Sequence, residues 1–128
     1  MCKKDNFTRD YVESELESLK TILEETKRRD RVLSDIKNRV ERYNLESDRL
    51  NEQIAIFEDS LYKLTKKYNT ILEWLTCLAS LEQKVLTERY IEDKSYIAIS
   101  LELHYSERNI YLLRKKAINK IVAYLNKE

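Results

Sequence analysis

The stretch Leu81-Glu-Gln-Lys-Val-Leu-Thr-Glu-Arg-Tyr-Ile-Glu-Asp-Lys-Ser-Tyr-Ile-Ala-Ile-Ser-Leu-Glu-Leu-His-Tyr-Ser-Glu-Arg-Asn-Ile-Tyr-Leu-Leu-Arg-Lys-Lys-Ala-Ile-Asn-Lys-Ile121 decides the fold. A helix-turn-helix needs apolar residues at fixed seats, a small residue where its two helices cross, and a tight turn. With Tyr96 as the first seat, the buried positions are Ile99, Leu103, Tyr105, Ile110 and Leu113. Ser100 is the small crossing residue, and His104 sits where the turn needs a left-handed backbone. Ser95 and Ser106 are placed to cap two helices, and Tyr105 with Ile110 to staple the second. Leu81, Val85, Leu86 and Tyr90 form the apolar face of a preceding helix, closing a three-helix core.

Working outward, composition agrees with an all-α fold. The 128 residues include no glycine and no proline, while 37% are charged and 42% hydrophobic. Tight-turned sheets need those two missing residues, whereas long helices do not. Taking Leu33 as position a, a heptad runs to Leu78. Its a seats are Leu33, Val40, Ser47, Ile54, Leu61, Tyr68 and Leu75; its d seats are Ile36, Tyr43, Leu50, Phe57, Leu64, Ile71 and Leu78. Only Ser47 is polar, so the pattern predicts a coiled coil or long helical hairpin. As one helix it would be roughly 70 Å long. Its wet seam calls for cover from residues 8–26, from a second copy, or from both, and a homodimer through the heptad region is expected. Trp74 and Leu72 widen the stripe near its end.

An earlier helix is expected over 8–26, capped by Thr8 and stapled by Phe7 and Val12, with Leu16, Leu19 and Leu23 continuing the stripe. The charged run Lys27-Arg28-Arg29-Asp30-Arg31 interrupts this phase and reads as a bend; Asn44 to Asp48 is a weaker candidate. The sequence therefore divides into a helical region, 1–80, and a helix-turn-helix domain, 81–128, expected to fold alone.

Charge is uneven. Residues 106–128 hold six bases and two acids, a net of +4, against +1 for the whole chain. Such a basic end suits nucleic acid, but also the negative end of any helix. Cys2 and Cys77 form neither a CxxC pair nor a cluster with the lone His104, so no metal and no disulfide is expected, and a reducing cytoplasm is the simplest setting. No membrane span or signal-peptide core is seen, and the scattered carboxylates form no catalytic constellation, so neither enzyme activity nor a cofactor is expected.

Residues 81–121 resemble region 4 of sigma factors, and also small phage and prophage regulators of the ArpU late-gene activator type. Arg89-Tyr90, Ser95, Ile99, Ser106-Glu107-Arg108, Ile110 and Arg114-Lys115-Lys116-Ala117 carry the likeness. Sigma regions that bind core polymerase and melt DNA have no counterpart here. The resemblance implies double-stranded DNA as partner, RNA polymerase as a further one, and Glu107, Arg108 and Leu112 near base edges. Leu112 departs from the usual polar seat and suits a thymine methyl group. Ser95, Ser106 and Lys115 are candidates for phosphate contact, and Tyr111 and Arg114 complete the set. Two alternatives stay open: a packaging protein like a small terminase subunit, and a sigma-like module that binds polymerase and touches DNA weakly.

Overall fold

The computed structural model describes residues 7–45 and 47–127; Cys2 and Glu46 lie outside them. Helix α1, Arg9–Glu17, starts at Thr8, whose hydroxyl accepts from the Tyr11 N–H at 3.1 Å. The Phe7 ring lies 5.4 Å from that of Tyr11. A single irregular residue, Ser18, separates α1 from α2, Leu19–Tyr43.

The charged run 27–31 lies inside α2 and does not bend the chain. Its residues are good helix formers, and Glu25 bridges Arg28 at 2.7 Å and Arg29 at 3.1 Å, one turn on. The turn comes instead after Asn44, whose φ of 50° is one that Asn tolerates better than most side chains. Ser47 then opens α3, Asp48–Trp74, its hydroxyl accepting from Leu50 N–H at 3.4 Å. The polar exception in the heptad is thus a helix start. Of the two forms the heptad allows, one roughly 70 Å helix or a hairpin, the chain takes the hairpin, broken at the 44–48 candidate, with α3 about 40 Å long.

The chain forms two compact units. One is Thr21–Thr70, the arms of α2 and α3. They run antiparallel: Lys37 reaches Glu58 at 2.8 Å, and Arg29 donates to Ser60. The heptad seats lie on the less exposed side of both arms, except Tyr43, a d seat beside the turn, which is 63% exposed. Leu33 is buried there, whereas Val40, Leu50, Ile54, Phe57, Leu61 and Leu64 are half-buried.

The other unit joins the residues up to Lys20 with those from Ile71 onward. The division expected between residues 80 and 81 falls inside it. After α3 come one 3-10 turn, Leu75–Cys77, then α4, Ser80–Leu86, a π-helical turn, Thr87–Ile91, α5, Tyr96–Leu103, and α6, Glu107–Leu125. Val85, Ile99 and Ile110 meet at the centre of the helix-turn-helix, with Tyr96, Leu103 and Leu113 around them. Val12, Leu16, Leu19, Ile71, Trp74, Leu75, Leu78, Ala117, Ile118 and Ile121 are buried as well. Tyr105, expected as a core seat, is 41% exposed, because it leaves the turn on the solvent side of α6. Among the described residues no helix is long and apolar enough to cross a membrane.

His104 ends α5 with φ 62° and ψ 35°. The carbonyl of Ser100 accepts from the N–H groups of both His104 and Tyr105, closing the helix end. A side chain in this conformation is strained where glycine is not. His104→Gly should therefore raise stability by about 1 kcal/mol, measured as a higher urea midpoint at unchanged slope.

Candidate functional site

The sequence-predicted site residues gather mainly on the outer side of α6. Ser106 caps it, accepting from Asn109 N–H at 3.1 Å, and Glu107 supplies the acid suited to a helix start. Ile110, Ala117, Ile118 and Ile121 point inward and are buried. Arg108, Leu112, Lys115 and Asn119 then share the opposite stripe at spacings of four, three and four, and all are exposed. Tyr111 flanks the stripe, about half exposed, its ring 6.2 Å from Tyr96. Ser95 caps α5 in the same way, accepting from Ala98 N–H at 3.1 Å, and is exposed. The sequence reading named seven of these residues and omitted Asn119, although its place four residues after Lys115 was available.

Arg114 does not belong to this face. Its side chain is 11% exposed and bridges Glu13 of α1 at 2.6 Å. Its Nε donates to the Tyr90 hydroxyl at 2.7 Å, and its guanidinium lies 5.8 Å from the Tyr111 ring. Helical rotation carries position 114 toward α1, so this charge locks two helices together. Burial pushes the Tyr90 phenol above its ordinary range, with the arginine pulling the other way. Arg114→Ala would leave Glu13 half-buried without its cation. A loss of about 1–3 kcal/mol in unfolding free energy is expected, largely spared in Glu13→Gln/Arg114→Met. Urea titration followed by Trp74 fluorescence would measure both.

Other motif residues are also structural. Arg89 donates to the Lys94 carbonyl at 3.0 Å and lies 4.6 Å above the Tyr96 ring, fixing the loop into α5. Lys120 reaches the buried Glu82 at 2.9 Å, and that carboxylate also accepts from Ala79 N–H at 3.1 Å. Burial pushes Glu82 up, but Lys120, the Ala79 N–H and the charge of Lys116 together hold it below its ordinary range. Glu88, likewise buried, pairs with Lys84 at 2.9 Å. Neither buried carboxylate was foreseen.

With Arg114 and Lys120 engaged, the cations left on α6 among the described residues are Arg108, Lys115 and Lys116. The positive charge facing solvent is thus smaller than the sequence count of +4 suggests. Beside the stripe lies an apolar cleft of about 250 Å³, lined by Leu81, Tyr105, Asn109, Leu112, Leu113 and Lys116.

The fold and this face define an all-α protein with a helix-turn-helix in one unit and an antiparallel helical hairpin as the other. The chain belongs to the family described as Protein of unknown function (DUF722), whose pattern matches residues 1–123. It is also similar to a Clostridium perfringens protein named Bacteriocin UviA, with 28% identity over 86 residues, covering 67% of this chain and 46% of that one. The chain thus spans about half the length of this curated relative. No solved structure matches.

Proposed function

We propose that this protein is a sequence-specific DNA-binding transcription regulator, of phage or prophage type, which reads promoter DNA with α6. One observation carries the reading: α6 buries one side completely and offers on the other an unpaired stripe of Arg108, Leu112, Lys115 and Asn119 behind a capped N-terminus. A helix so presented fits a major groove. Arg108, in the first turn, is assigned to a base edge together with Glu107. Leu112 is assigned to a thymine methyl group, Tyr111 to the groove wall, and Ser95, Ser106 and Lys115 to phosphates. Arg114 is withdrawn from the set and supports α6 from behind. No catalytic step and no cofactor enter the proposal. Binding-site mapping across a host genome, followed by gel shifts on the recovered duplexes, tests it; uniform affinity for random duplexes would overturn sequence-specific reading.

The apolar cleft beside Leu112 favours a second reading, a sigma-like module that docks on RNA polymerase and touches DNA weakly. Co-purification with core polymerase that Leu112→Glu abolishes, alongside unchanged DNA affinity, would select it.

A further inference from the structure

The cleft between α4 and α6 has an apolar floor, made by Leu81 of α4 and by Leu112 and Leu113 of α6, and Tyr105 walls its end toward the turn. Asn109, Leu113 and Lys116 recur at spacings of four and three, so they share one side of α6. That side faces α4: one turn further on, Lys120 bridges Glu82 of α4 at 2.9 Å. It is turned roughly 80° about the helix from the stripe of Arg108 and Lys115, and Leu112 borders both. The walls are held in place by the fold itself. Leu113 packs on the core of Val85, Ile99 and Ile110. The N–H of Tyr105 donates to the Ser100 carbonyl at 3.2 Å, and its own carbonyl accepts from the Ser100 hydroxyl.

Charge selects the occupant. Among the described residues Lys116 is the one charged side chain lining the cleft; it is exposed and makes no bridge. Glu82, the acid of α4, is buried and already taken by Lys120 and the Ala79 N–H. A cation and the Asn109 amide beside three leucines are complementary to a carboxylate on a hydrocarbon body. The cleft holds about 250 Å³. That is the liquid volume of about eight waters, which suits an acid of roughly ten non-hydrogen atoms. A protein partner needs about 800 Å² on each side and would spread well past the cleft, whereas such an acid fits within it. We infer that the α4–α6 cleft binds a small amphiphilic monocarboxylate, its hydrocarbon body on Leu81, Leu112 and Leu113 and its carboxylate on Lys116. The site stands whatever α6 recognises. Its consequence for DNA rests on the reading proposed above: an acid seated there covers Leu112 and sets a negative charge beside Lys115, so acid and DNA oppose each other's binding.

The test titrates octanoate into the full, isotope-labelled chain and follows backbone amide chemical shifts. Saturable shifts are expected at Leu81, Leu112, Leu113 and Lys116, with a dissociation constant on the order of 1 mM, as a ligand of about ten heavy atoms in an open cleft allows. Acetate, which has the charge without the body, should give no saturable shift at the same concentration. Lys116→Met should weaken octanoate about fivefold, whereas Lys115→Met, which removes the same charge outside the cleft, should change it by less than about twofold. Both lysines are exposed, and unchanged helical circular dichroism confirms the fold of each variant. Absence of saturable shifts overturns the inference, as does Lys116→Met binding like wild type. Equal losses for the two lysines, or equal shifts with acetate, also overturn it, since either reduces the effect to general attraction of anions. So do cleft amides that respond to protein concentration or to core polymerase but not to octanoate, which gives the cleft to a macromolecule. None of these measurements contains DNA, so their failure and the failure of the DNA reading are separate results.

Discussion

A fragment of residues 81–128 is expected to be largely unfolded, with weak helical circular dichroism and no cooperative thermal transition. The sequence reads as though this segment closes its own core, through Val85, Ile99 and Ile110. Those three residues are only its far end. The near end of α6, at Ala117, Ile118 and Ile121, is buried together with Val12, Leu16 and Leu19 and with Ile71, Trp74, Leu75 and Leu78. Burial of such side chains is worth about 1.5–3 kcal/mol each. Losing seven of them costs on the order of 10 kcal/mol even after discounting for a compact unfolded chain, comparable with the whole stability of a small domain, about 5–15 kcal/mol. The fragment also loses Glu13, leaving Arg114 without its carboxylate, and Phe7, whose carbonyl accepts from Asn126 Nδ2 at 2.9 Å. Within the full chain the same dependence appears as a single substitution: Leu16→Ala should cost about 2–5 kcal/mol, although Leu16 is far in sequence from the helix-turn-helix. A fragment with native helicity and a cooperative melt would show that the contacts of α1 are dispensable.

That dependence marks where reading the sequence stops working. Features set by near neighbours were legible. The caps at Ser95 and Ser106 act over three residues, His104 is forced left-handed by the turn itself, and Ile99, Ile110, Ala117 and Ile121 follow from helical spacing. The hairpin was half legible. Its heptad marked the inward side of both arms apart from the exposed Tyr43, but it ran on through Ile71, Leu75 and Leu78 into the other unit, and a repeat of seven looks the same in one long helix as in two arms. Asn44 to Asp48 was one of two candidate breaks; with no glycine present, choosing it over the 27–31 run required weighing that Asn tolerates positive φ while a run of Lys and Arg stays helical. Long-range pairings were not legible. Arg114 looks like its neighbour Lys115, and only its bridge to Glu13, 101 residues away, separates a packing arginine from a surface one. Glu82 and Glu88 are hidden for the same reason: their burial rests on lysines brought together by the fold.

Arg108 and Lys115 should fail in different ways when each is replaced by alanine. Arg108 leaves the first turn of α6, where the helix would stand deepest in a groove, and it is exposed. An arginine there can meet guanine with two hydrogen bonds. Arg108→Ala should cost about 1–3 kcal/mol on the specific duplex and relax preference at one base pair. Lys115 lies two turns on and is assigned to a phosphate. Its loss should weaken specific and random duplexes alike, and make the dependence on salt shallower by roughly one ion. Because Arg114 is engaged with Glu13 and Tyr90, Arg114→Ala should act on DNA only through reduced stability; at a temperature where the variant remains folded, its affinity should match wild type. Gel-shift titrations on cognate and scrambled duplexes at two salt concentrations separate these cases. Equal losses on both duplexes for Arg108→Ala would make it a phosphate clamp and reverse the assigned orientation of α6. If neither Arg108→Ala nor Lys115→Ala matters, the exposed stripe serves a protein partner, and the apolar cleft at Leu112 becomes the place to look for it.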